Sequence, residues 1–408
     1  MESTRGKFSI VKQVCELIPP HLVSTLARKH GVSEKSRTFS PWSHVVSLLY
    51  AQLAHAMSLN DVCDALRIHR TPLSLIRGAT PPSRNTLSHA NRVRDAAMAE
   101  ELFWSVLAHL QTICPAFAGK NYNGFPRRFK RVIHVVDSTT IKLVANCVDW
   151  ARHKRSKAGS KVHMRLDLQS FLPQFVIIDT ARPNDNKVAR EMCAGIKRGE
   201  IVIFDKAYLD FGHLFSLEER GVFWVTRAKD NLQARCVTHL LDEPKGTIVR
   251  DEIITLTRPA SQIKYQKHLR RVTALVEVKG TIKEMTFLTN NLEWAPSTIA
   301  DLYKSRWAIE AFFKQLKQTL QLCDFLGHNK NAIQWQVWMA LLAYVLLRYL
   351  AFLSRWNHSF NRIVTVIRSS LWSRFKLHPL LKSYGTADGS FRLLATPQQA
   401  YLLGCAPP

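Results

Sequence analysis

Two apolar runs, each stopping at an aspartate, restrict what this chain can fold into. Val132-Ile133-His134-Val135-Val136 precedes Asp137, and Ile201-Val202-Ile203-Phe204 precedes Asp205. Short runs rich in β-branched residues, with little polar alternation, read as inner strands of an α/β sheet, covered on both faces. Val162–Leu168 alternates, Phe175-Val176-Ile177-Ile178 forms a further run, Lys187–Lys197 reads as a helix and Val222–Thr226 as a fifth strand. The order β-β-β-α-β followed by helix is a mixed α/β layer design. Such sheets carry ligand groups at the carboxyl ends of their inner strands. Two carboxylates on neighbouring strands repel unless a cation lies between them. Hard divalent ions such as Mg²⁺ prefer such oxygen ligands. Taken singly, either aspartate also reads as a strand-end turn residue or a helix N-cap, the commoner role.

The stretch DLYKSRWAIEAFFKQLKQTL adds a third acid. At about 100° per residue, Tyr303, Arg306, Glu310 and Lys317 share one helical stripe about 60° wide. Leu302, Ile309, Phe312, Leu316 and Leu320 form the adjoining apolar face. The spacing predicts a helix packed on one side that presents an acid, two cations and a phenol along its edge. Arg306 and Glu310 also read as a helical i,i+4 ion pair on a solvated face.

Charge points to the partner. Fifty-seven Lys and Arg against 31 Asp and Glu leave a formal charge of +26, which favours a polyanion, either nucleic acid or an acidic membrane. RHKRSKAGSKVHMR holds Arg152, Lys154, Arg155, Lys157, Lys161 and Arg165 with no acid, and reads as a phosphate-contacting loop or a solvated one. Residues 1–116 read as mostly helical, with Ser40-Pro41, Ser58 and Ser83 as helix starts. On the helix expected over Arg84–Glu100, Arg84, Ser88 and Arg92 share one side, as in a helix-turn-helix reader or on an ordinary polar face. Residues 117–131 form a basic linker, 132–350 the α/β region, about 230–290 a strand-rich antiparallel insertion, and 351–408 a partly helical tail. The longest apolar run, Val337–Leu347, is too short for a span and reads as a buried helix. The amino terminus lacks an apolar signal segment, and there is no lipidation motif, so a cytoplasmic protein without a membrane partner is expected. Eight scattered cysteines without CxxC, and 16 histidines without HExxH, predict reduced thiols and no zinc site.

The chain resembles the DDE transposases of bacterial insertion sequences, specifically the IS-four group. That group carries Y-x2-R-x3-E-x6-K, and Tyr303, Arg306, Glu310 and Lys317 match every spacing. VVDSTTIKL matches the strand holding the family's first acid, Asp137. FDKAY keeps Asp205 and Tyr208 of the second motif, with Ala207 in place of glycine. The resemblance covers roughly residues 5–350, including the helical amino-terminal region. It implies an RNase H-like fold in which Asp137, Asp205 and Glu310 hold two Mg²⁺ ions, with Mn²⁺ as a substitute. It implies cutting and joining of double-stranded DNA at terminal inverted repeats and target sites, through a DNA hairpin, by a homodimer on paired ends at the bacterial nucleoid. Tyr303, Arg306 and Lys317 would grip the transposon end, and Arg227 and Lys229, on the family's Arg-x-Lys pattern, would face DNA. An aromatic residue of the insertion would receive a flipped base; Trp294 is a candidate, and Trp224 reads better as a core strand residue. Two other readings are a catalytically dead DNA-binding descendant and an RNase H-like nuclease that only hydrolyses. The complete set of acids and YREK residues weighs against the first, and the YREK helix with its large insertion against the second.

Overall fold

The computed structural model describes residues 5–32, 39–120, 125–143, 152–154, 157–180, 185–278, 280–320, 326–327 and 329–385. The chain divides into two units, each assembled from separate stretches. Among the described residues, a sheet unit is drawn from 120–139 and 161–312, and a helical unit from 5–119, 140–160 and 313–385.

Ten described strands form one sheet: β1 (Ile133–Leu143), β2 (Arg152–Lys154), β3 (Lys157–Asp167), β4 (Leu172–Thr180), β5 (Ile201–Phe204), β6 (Phe223–Arg227), β7 (Ala234–His239), β8 (Ile248–Leu256), β9 (Leu269–Val278) and β10 (Thr281–Thr289). β5 lies between β1 and β6 and is parallel to both, with Val136 opposite Phe204 and Phe204 opposite Thr226. β3 flanks β1, and β4 pairs with β3. The core order β4-β3-β1-β5-β6, with the last three parallel, is the RNase H-like arrangement. All four residues of β5 are buried, as an inner strand requires.

β1 departs from expectation. It runs on to Leu143, so Asp137 lies within a strand instead of beyond its end. Parallel pairing with β5 does stop at Val136, and the β-forming Thr139, Thr140 and Ile141 keep the chain extended past that point. Asp137 and Asp205 thus leave the register together, each one residue after a paired partner.

The insertion is antiparallel, as its alternation implies, and it prolongs the central sheet. β7, β8, β9 and β10 pair in succession, and β10 returns to pair antiparallel with β6, Leu288 facing Thr226. Beneath it, helices Asp185–Met192 and Phe211–Glu219 contribute Met192, Leu214 and Leu217 to a core with Phe204, Ile254 and Leu269. Trp224 is fully buried there, a strand residue of the core.

In the helical unit, Ser40 caps Pro41–Ala54 by accepting the Ser43 amide at 3.0 Å. Ser58 and Asp61 form a reciprocal capping box at the start of Leu59–Ile68. Ser83 caps the next helix, which ends at Val93 instead of continuing to Glu100, and a separate helix spans Ala97–Ile113. The break is tertiary. Arg94 is extended (φ −76°, ψ 125°), and its carbonyl accepts the Asn331 side-chain amide at 2.6 Å and the Trp335 indole at 2.8 Å. Asn331 also accepts the Ala96 amide at 2.9 Å. Groups that a continuous helix would pair internally are satisfied from another helix. That helix, Lys330–Leu353, is long and apolar enough to cross a membrane, but 89% of its apolar window is buried in the protein. It is a core helix, packed on Pro41–Ala54 and Ala97–Ile113.

Candidate active site

The sheet unit gathers three acids around one guanidinium. Asp137 comes from β1, Asp205 from the turn after β5, and Glu310 from helix Trp307–Lys314. Asp205 accepts the Ala207 amide at 3.4 Å and so also caps its own turn. Asp137 accepts the Ser138 amide at 2.7 Å. Arg306 reaches all three acids: Nη1 lies 3.0 Å from Asp137 Oδ2 and 3.8 Å from Asp205 Oδ2, and Nη2 donates to Glu310 Oε1 at 2.7 Å. The Arg306 side chain is 7% exposed, against 16% for Asp137, 34% for Asp205 and 43% for Glu310, so the acids line an opening above a buried cation.

The charges do not balance. Three carboxylates share one arginine, which leaves an excess of negative charge. Burial pushes Asp137 up to about 6, against the pull of Arg306 and the Ser138 amide, while Asp205 and Glu310 push it further. Burial alone would pull Arg306 down, but Tyr303 and the three acids raise it above its ordinary value. The Tyr303 phenol is raised by burial. Its ring packs on Phe287 of β10, centroids 4.9 Å apart, and lies 5.6 Å from the Arg306 guanidinium carbon. An all-oxygen set carrying excess charge beside an opening suits hard divalent cations.

The stripe is less regular than one helical wheel. Pro296–Ser305 and Trp307–Lys314 are separate helical segments with a turn at Arg306, and Gln315–Thr319 is a π-helical turn. A π turn holds more residues than an α turn, so it rotates Lys317 off the expected line. Lys317 Nζ donates to the Thr140 carbonyl at 2.8 Å, in the same strand as Asp137 and three residues beyond it. The structure therefore brings Tyr303, Arg306 and Glu310 together with both aspartates, while Lys317 bonds backbone further along β1.

The basic candidates are distributed. Arg227 and Lys229 line a cleft of about 230 Å³ with Arg250 and Arg271 of the insertion. The last two were not legible in the sequence, because only the sheet register brings them beside β6. Arg84, Ser88 and Arg92 are exposed on the outer side of their helix, opposite buried Leu87 and Ala90. Arg155 lies outside the described residues, as do the side chains of Lys154 and Lys157; Lys161 lies in β3 and is partly buried. Trp294 is partly buried between Phe129 and Phe223.

Comparison with known proteins falls on the same residues. The family described as "Transposase DDE domain" matches residues 128–346, which include all three acids, and a domain of unknown function matches residues 7–76. A putative transposase of Sinorhizobium fredii is 31% identical over 296 residues, covering 72% of this chain and 78% of the relative. A probable insertion-sequence transposase of Geobacillus stearothermophilus is 30% identical over 55% of this chain and 58% of its own length. The InsG transposase of insertion sequence IS4 from Escherichia coli is 26% identical over 46% of this chain and 43% of its own length.

Proposed function

This chain belongs to the DDE transposase family, enzymes that cut and join DNA, and from that premise we propose that Asp137, Asp205 and Glu310 are its catalytic acids. The observation that carries the assignment is their convergence on Arg306 from three distant points of the chain. Members of the family use divalent metal ions. Here the oxygen donors and their excess charge fit two Mg²⁺ ions, with Mn²⁺ as a substitute. Held by Asp137, Asp205 and Glu310, such ions would supply Lewis-acid activation of water or a DNA 3′-OH and of the leaving oxygen.

The chain's own side chains supply positioning. Arg306 has both terminal nitrogens on the acids, and its forked donor set would turn to phosphate once metal takes up the acids' charge. Tyr303 holds that arginine from the insertion side through its contact with Phe287. Lys317 supplies a point charge for the strand end. The cleft of Arg227 and Lys229, the exposed Arg84 and Arg92, and the Lys154, Arg155, Lys157 and Lys161 segment supply backbone contacts to terminal inverted repeats and target DNA. In the reading we adopt, residues 1–116 bind DNA, 132–350 carry the chemistry, the reaction passes through a hairpin, and a homodimer acts on paired ends at the bacterial nucleoid.

The test is a labelled end fragment incubated with full-length protein and Mg²⁺, with nick, hairpin and joined products separated on a denaturing gel. Glu310→Ala should abolish all three, a loss on the order of 10³-fold or more, while DNA binding persists. Normal cleavage by that variant would overturn the assignment. Lys317→Ala should keep part of the nicking and lose most hairpin and joined product, since closure needs a specific 3′-OH at a specific phosphate. Equal loss at every step would show that the lysine supports the strand instead of the DNA end.

A further inference from the structure

Cys236, His239 and Glu252 stand together in the insertion, and their donor atoms all lie within 4.8 Å of one another. Cys236 and His239 are three residues apart, a spacing that puts side chains on opposite faces of a regular strand. A β-bulge cancels the alternation. Cys236 pairs with Ile254 and Thr238 with Ile253, so Val237 is an extra residue in β7. His239 then pairs with Glu252, two residues from Ile254 on the same face of β8. One inserted residue therefore turns a thiol and an imidazole toward one carboxylate.

Glu252 is held in place for a second partner. It is a buried carboxylate, its side chain 3% exposed, and Arg271 pins one oxygen, with Nε 2.7 Å from Oε2 and Nη2 2.6 Å from it. The other oxygen, Oε1, lies 3.4 Å from His239 Nδ1 and 4.0 Å from Arg250 Nε. An outer cation that fixes one carboxylate oxygen and leaves the second toward a histidine is how metal ligands are oriented. The His239 side chain is 63% exposed, so it is free to close the remaining gap by rotation.

We propose that Cys236, His239 and Glu252 bind a zinc ion, separate from the three-acid centre. The donors are one sulfur, one nitrogen and one oxygen, a set that suits zinc and is too soft for Mg²⁺. Binding releases the Cys236 thiol proton to solvent, and the thiolate then offsets part of the ion's charge alongside the carboxylate that Glu252 shares with Arg271. Three protein ligands leave a fourth position for water. β7 ends the sheet order and has β8 as its partner, so the ion staples a bulged edge strand to its neighbour. Such a site would depart from the expectation of no zinc ligands among the cysteines and histidines, which rested on spacing along the chain.

The test uses full-length protein dialysed against chelator and titrated with Co²⁺ and then Zn²⁺. The expected result is one equivalent of Co²⁺ giving visible d–d bands and a thiolate charge-transfer band, both erased by Zn²⁺. Cys236→Ser should remove the charge-transfer band, and Cys236→Ser and His239→Ala should each weaken Zn²⁺ binding more than about 100-fold, beyond the 10- to 100-fold typical of an outer partner. Both residues lie outside the core, and circular dichroism checks that the variants fold. Cys114→Ser, at a cysteine remote in sequence, should bind as wild type. No thiolate band in the wild type, a band that survives Cys236→Ser, or an unchanged Zn²⁺ affinity on replacing His239 would each overturn the proposal.

Discussion

Each unit holds a polar cluster, and the two clusters are built in opposite ways. In the helical unit His44 meets the Asn91 side chain at 2.8 Å, Asn331 and Trp335 complete the backbone broken at Arg94, and buried Arg348 lies over the rings of Tyr344 and Phe360. These groups end on neutral partners. In the sheet unit three carboxylates converge on Arg306, and negative charge is left over at an opening. A buried polar group that ends on a neutral partner fixes a fold, whereas charge held in excess beside water is available for chemistry.

Arg306→Ala probes the comparison most strongly. It leaves Asp137, Asp205 and Glu310 facing one another and should cost about 2–3 kcal/mol in chelator, less than a fully buried pair because two of the acids keep contact with water. Urea unfolding should show part of that loss restored by Mg²⁺. An undiminished stability would mean that the arginine does not hold the acids together. Asn331→Ala should cost about 2 kcal/mol by leaving backbone groups around Arg94 unpaired, with no recovery on adding metal. Recovery there would erase the distinction between the units.

Acid separates them next. Burial lowers His44 from 6.5 to about 3, so the folded protein keeps it neutral while the unfolded chain takes up a proton. Its contribution is whole above 6.5 and is lost as pH falls toward 3, at about 1.4 kcal/mol per pH unit. His44→Gln should flatten the acid limb of a stability-against-pH curve by that slope. An unchanged limb would show that His44 is not the titrating group. The smallest effect concerns binding. Replacing Lys154, Arg155 and Lys157 together should flatten log K against log salt for DNA by up to about three units. An unchanged slope would assign the phosphate contacts to other residues.

The sequence made the inner strands readable because burial on both faces removes polar alternation, as in Ile201–Phe204. Asp137 and Asp205 stood out as candidates because each follows an apolar run, although β1 continues past Asp137, and Glu310 stood out through the YREK spacing. Helix starts at Ser40, Ser58 and Ser83 were readable because capping is local chemistry. The end at Val93 was not, because Asn331 and Trp335 cause it from more than 200 positions away. The central place of Arg306 was equally hidden, since its partners come from β1 and the turn after β5. Cys236 and His239 looked unrelated because a bulge, which spacing does not record, sets their direction.

The return of β10 to β6 gives the insertion the character of a closed detour. The chain leaves the central sheet after β6, runs through β7, β8 and β9, and re-enters beside its point of departure before the helix that carries Glu310. Changes at the far hairpins need not move that helix. Gly246 and Gly280 sit at such turns with positive φ and no atom within 4 Å of an added side chain. Loops there are natural places to lengthen the chain or splice in a reporter without displacing the helix that carries Glu310.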